Sequence, residues 1–88
     1  MMSTRSGDID PGVLIHLIKK YNYSVDELSN ILNHESGILG ISNKSNYLEL
    51  INGLKAKDEK CTLAFNMFCY QIRKTIASYF GILNKVDA

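Results

Sequence analysis

A chain of 88 residues with 10 Lys and Arg against 9 Asp and Glu has a formal net charge of +1, which gives no field for nucleic acid or an anionic membrane surface. The length allows one small domain, which buries little more than ~60% of its unfolded surface and has modest stability of its own. No apolar run is long enough to span a bilayer, and an amino terminus that is polar beyond Met1 and Met2 carries no secretory leader pattern, so the expected location is the cytoplasm.

The opening loop, 1–10, runs into a helix start. Asp10 is a capping residue, and Pro11 suits the first helical position, where its missing N–H would be unpaired in any case. From Pro11 to about Lys20, Val13, Leu14, Leu17 and Ile18 recur at helical spacing, with Lys19 and Lys20 at the negative end of the helix dipole. Ser24 and Glu27 form a capping-box pattern ahead of Val25, Leu28, Ile31 and Leu32, so 11–33 is expected to be a helical hairpin. The stretch 34–44, with Gly37 and Gly40 among apolar residues, reads as a buried turn or a single helical turn. Ser45 then caps a third helix over 45–56, interrupted or ended around Gly53, and Asp58 caps the longest helix, 58–84. There Leu63, Ala64, Met67, Phe68, Ile72, Ile76, Phe80 and Leu83 keep one apolar face, and Phe65, Tyr70 and Tyr79 are also expected in the core. No segment alternates with period two long enough to be a central strand.

Cys61 and Cys69 lack metal-ligand spacing and are too few for a disulfide framework, so both read as reduced thiols, with Cys69 half-buried. His16 and His34 have no Cys, Asp or second His at ligand spacing and read as ordinary helix and loop histidines. The residue that local structure leaves unexplained is Arg5. Its planar donor fork matches carboxylate or phosphoryl oxygens, and Gly7 beside it permits close approach.

The string T-R-S-G-D-I-D-P-G at 4–12, L-N-x-E-S-G-I-L-G-I-S at 32–42, and F-C-Y-Q-I followed by I-A-S-Y at 68–79 resemble the acetate kinase family, which includes acetate, propionate and butyrate kinases. The likeness continues to V-D-A at 86–88. It implies a fold related to sugar kinases and the actin ATPases, with two α/β domains around a cleft, of which this chain is a mainly α-helical slice with most of the sheet elsewhere. The resemblance also implies transfer of the γ-phosphoryl of ATP, with magnesium, to acetate or a similar short-chain carboxylate. The family's phosphate loops would precede Met1 and follow Ala88, so a truncated gene product, an internal start or a cloned fragment is expected.

By the same resemblance Arg5 is the catalytic arginine that faces the cleft and stabilises the transferring phosphoryl group. Asp8 and Asp10 are candidate supporting residues, although turn and cap chemistry account for both. Asn46 and Tyr47 are candidates for nucleotide binding, the first as a hydrogen-bonding group and the second as a stacking ring. Here the chain departs from the family pattern: Tyr47, Leu48 and Glu49 replace an Asp-x-Arg triplet that holds the adenosine, and Asn43 replaces a glycine. No residue set reads as a metal site. The isolated chain is expected to be inactive, with a non-catalytic helical self-association or interaction module as the alternative. Apolar surface left without its sheet is expected to drive homo-oligomer formation, most simply a two-fold dimer.

Overall fold

The computed structural model describes residues 1–84 and is built from five helices, α1 Pro11–Tyr21, α2 Val25–His34, α3 Gly37–Ser42, α4 Tyr47–Lys55 and α5 Glu59–Leu83, with no strand among the described residues. The expected V-D-A match at 86–88 lies outside them.

Local chemistry sets most of the boundaries. Asp10 accepts from Gly12 N at 2.7 Å, and α1 stops at Asn22, which takes a left-handed conformation with φ 56°. Ser24 and Glu27 close a reciprocal capping box, Ser24 Oγ accepting from Glu27 N at 3.1 Å and Glu27 Oε1 accepting from Ser24 N at 3.2 Å. The expected turn at 34–44 contains a short helix of its own. Helix α4 starts one residue later than expected: Asn46, not Ser45, supplies the cap, its Oδ1 accepting from Leu48 N at 2.7 Å.

Asp58 caps α5 by accepting from Cys61 N at 3.0 Å, and that bond is the main reason its carboxyl lies below its ordinary value of 3.8. The folded state therefore favours the ionised form. Its stabilising effect is complete above the ordinary carboxylate range and is lost as pH falls through and below 3.8. Asp58→Ala is accordingly expected to melt below the parent near neutrality, the gap closing on acidification. Asp58→Asn, which keeps an acceptor, is expected to lie between them. A gap that widened in acid, followed by circular dichroism, would contradict this assignment.

Packing departs from the expectation in two places. Helices α1 and α2 do not form a tightly packed hairpin. Helix α1 buries no residue and α2 buries only Leu28, while the packed pairs are α3 with α5 and α4 with α5. The core is Ile38, Leu50, Cys61 and Ala64, flanked by Met1, Ile41, Phe65 and Phe68. Helix α5 is therefore covered only along its first half. Met67, Tyr70, Ile72, Ile76, Tyr79, Phe80 and Leu83, expected in the core, are exposed, because no described element lies over them.

Cys61 is a free thiol and fully buried, and burial pushes its pKa up, with the Asp58 carboxylate adding to the effect. Gly53 lies directly against it: a Cβ at that position would meet the Cys61 side chain, with Cβ to Cβ at 2.9 Å. The glycine expected to interrupt or end α4 instead lies within it, where α4 packs against Cys61 of α5.

Candidate functional site

Residues 1–8 form an irregular strap held by backbone hydrogen bonds to the junction of α2 and α3. Ser6 N donates to Leu32 O at 2.8 Å, and Ser36 N donates to Thr4 O at 2.9 Å. Ile38 N and Leu39 N, at the start of α3, donate to the carbonyls of Met2 and Ser3 at 2.9 Å each. Ser36 gives α3 no side-chain cap, so the strap carbonyls satisfy amides that would otherwise lack partners. Thr4 Oγ1 donates to Asn33 O at 2.9 Å, and Ser3 Oγ donates to Ser45 O, tying the strap to the loop before α4.

Gly37 makes the crossing possible. It has φ +63°, and a Cβ there would collide with Met2 O and lie 2.7 Å from Arg5 O. Within the strap, Met2 N donates to Arg5 O at 3.1 Å, closing a tight turn. Arg5 is exposed on that turn. Its carbonyl is held by Met2 N, and its neighbours Thr4 and Ser6 are bonded to Ser36 and Leu32, so an exposed arginine stands on a fixed backbone.

Beside the strap lies an open groove of about 780 Å³. Ser6, Gly7 and Asp8 line one side, Glu35, Ser36 and Gly37 another, and Met67 to Ile76 of α5 the floor. Asp8 faces this groove; Arg5 and Asp10 do not line it. Asp10 is a cap, as its position before Pro11 indicates. Asn46 uses its side-chain carbonyl on the α4 cap, leaving its amide NH₂ free to donate, and Tyr47 is exposed next to it. The Ser3–Ser45 bond links the strap that carries Arg5 to the loop that carries Asn46. Among the described residues no group of three or more His, Cys, Asp or Glu is placed to hold a metal ion, and no helix is long and apolar enough to cross a membrane.

A sequence model of the acetokinase family matches residues 1–88. The chain belongs to the acetokinase family. It is 44% identical over 88 residues to an acetate kinase of Campylobacter concisus, covering all of this chain and 22% of that protein. The crystal structure of Porphyromonas gingivalis acetate kinase superposes with a TM-score of 0.92 at 39% identity, covering 99% of this chain and 22% of that one. A propionate kinase from Francisella tularensis superposes with a TM-score of 0.91 at 36% identity, over 98% of this chain and 22% of its own. The acetokinase chain described here thus spans about a fifth of the length of these relatives, and its five helices are a mainly α part of the acetate kinase architecture.

Sequence reasoning singled out Arg5 and read the caps at Asp10, Ser24 and Asp58, but it missed the Asn46 cap and the strap. Its only local trace is the Ser3–Thr4 pair, whose hydroxyls bond to residues 42 and 29 positions away.

Proposed function

We propose that this chain supplies the phosphoryl-facing arginine and one helical wall of an acyl kinase cleft. In the reaction a carboxylate oxygen of acetate or a similar short-chain acid bonds to the γ-phosphorus of ATP. The bond from that phosphorus to the bridging β,γ-oxygen breaks, and ADP leaves. Arg5 neutralises charge on the transferring group; such transfer is mainly positioning and electrostatics, so an anchored guanidinium contributes without covalent chemistry. The observation that supports the role is the anchored turn that leaves Arg5 exposed.

Asp8, on the groove wall, is the supporting carboxylate, and Asp10 supports by fixing the start of α1. Asn46, through its free NH₂, and Tyr47, through its ring, make a weak contact with the nucleotide. ATP and magnesium belong to the reaction through the family. This chain's described residues do not by themselves form a magnesium site. The setting proposed is the cytoplasm.

Two assays test this reading. The 88-residue polypeptide with acetate and MgATP is expected to form no acyl phosphate above a heat-killed control, and ATP titration is expected not to saturate in the low micromolar range. Residues 1–88 grafted in place of the matching segment of the P. gingivalis enzyme are expected to support acetyl phosphate formation, with a raised KM for ATP. A folded chimera without activity would overturn the proposal.

A second reading concerns the polypeptide alone, which we propose pairs with a second copy of itself. The apolar residues exposed along the second half of α5 favour this for the isolated polypeptide.

A further inference from the structure

Among the described residues, left-handed backbone is carried by two kinds of residue, which divide by what lies beside them. Asn22, Asn43, Lys57 and Asn84 hold φ between 56° and 63° with side chains in place, a conformation that asparagine in particular tolerates. Glycine stands at the other two positions, Gly7 at φ 73° and Gly37 at φ 63°. At both, a Cβ would strike the backbone of the strap: Met1 beside Gly7, and the carbonyls of Met2 and Arg5 beside Gly37. The dihedral angle alone does not require glycine at position 37, since Asn43, at the other end of α3, holds the same φ of 63°. The space does.

The two carbonyls against Gly37 are those that shape the turn carrying Arg5. Arg5 O accepts from Met2 N at 3.1 Å, which closes the turn, and Met2 O accepts from Ile38 N at 2.9 Å, which fastens it to α3. A Cβ at position 37 would lie 2.7 Å from Arg5 O and closer still to Met2 O, so a side chain there pushes on both ends of the turn. Movement of α3 is opposed by the core, because the next residue, Ile38, is buried with Leu50, Cys61 and Ala64. The strap is the side that yields.

Resting on the role proposed above for Arg5, we infer that Gly37 is a positioning residue for phosphoryl transfer: the missing side chain at the start of α3 lets the strap close down and sets where the Arg5 guanidinium stands. Gly37 acts through the Arg5 turn. Transfer of this kind depends on placement, and a displacement of about 1 Å costs on the order of 10²-fold in rate. A displaced turn therefore lowers kcat, while the nucleotide contacts proposed at Asn46 and Tyr47, on a separate segment, leave the KM for ATP little changed.

The chimera that carries residues 1–88 in the P. gingivalis enzyme tests this. Gly37→Asn keeps a residue suited to the left-handed φ and adds the Cβ; it is expected to lower kcat about 10- to 100-fold, with the KM for ATP within a few-fold of the parent chimera. In an Arg5→Ala background the same substitution is expected to change kcat by less than about 3-fold, because the group it displaces is gone. A purely structural loss would fall equally on both backgrounds. A folded Gly37→Asn chimera with the parent's kcat, or an equal loss with and without Arg5, would overturn the inference and leave the role of Arg5 standing. Arg5→Ala at the parent's rate would overturn that role and the inference with it. If Gly37→Asn does not fold, Thr4→Val decides in its place, since it removes the hydroxyl that ties the residue before Arg5 to Asn33 O. It is expected to lower kcat several-fold with Arg5 present and not in the Arg5→Ala background, and an unchanged rate or an equal loss in both would overturn the inference.

Discussion

Arg5→Ala in the grafted enzyme is expected to lower turnover by about 10³-fold or more, the magnitude carried by an arginine that stabilises a transferring phosphoryl group. The loss should fall on kcat more than on the KM for ATP, because the guanidinium acts where charge develops and not on the adenosine. Structure should be unaffected. The strap is held by main-chain bonds of Met2, Ser3, Thr4, Arg5 and Ser6, and an alanine at position 5 preserves all of them. A rate within a few-fold of the parent would remove Arg5 from the mechanism. Arg5→Lys is expected to recover only part of the activity, since a point ammonium lacks the planar fork that engages two oxygens together.

The largest effect on stability is expected at Leu50. It is fully buried in the small core shared with Ile38, Cys61 and Ala64, and truncation of such a leucine costs about 2–5 kcal/mol through lost transfer energy and the cavity left behind. A chain of this length has about 4–13 kcal/mol of total stability, and this flat one, with much apolar surface uncovered, belongs low in that range. Leu50→Ala is therefore expected to remove half or more of the cooperative urea transition at fixed protein concentration. Leu63→Ala, on the same layer but largely exposed, is expected to cost less than about 1 kcal/mol. Equal losses at both positions would show that α4 and α5 are not the centre of the fold.

The contrast between Leu50 and Leu63 also marks what was legible in the sequence. Caps were readable at Asp10, Ser24 and Asp58 because donor and acceptor lie within three residues. Ser45 and Asn46 are adjacent and chemically suited to the same task, and only backbone geometry decides that Asn46 takes it. Periodicity showed that α5 has an apolar stripe, but a stripe does not say what lies over it. Coverage depends on α3 and α4 folding back over the first half, and the second half has no described cover. The α1–α2 hairpin failed for the same reason: two amphipathic helices in sequence do not have to face each other.

For the site, T-R-S-G-D identified Arg5 as the residue that local structure does not use. The reason it can be held in place was hidden, because the strap's bonds to Leu32, Ser36, Ile38 and Leu39 span about thirty residues and leave no periodic trace. Asn46 shows the converse case, a candidate ligand whose carbonyl turns out to be structural.

Chemical rescue tests the central claim most directly. Acetyl phosphate formation by the Arg5→Ala chimera is measured as guanidinium is added in millimolar steps, with the unsubstituted chimera as reference. If Arg5 neutralises the transferring phosphoryl group, the variant gains rate saturably with guanidinium and the reference does not. A folded variant that has lost activity and gains nothing from guanidinium, while binding ATP and acetate as the reference does, would contradict the assignment.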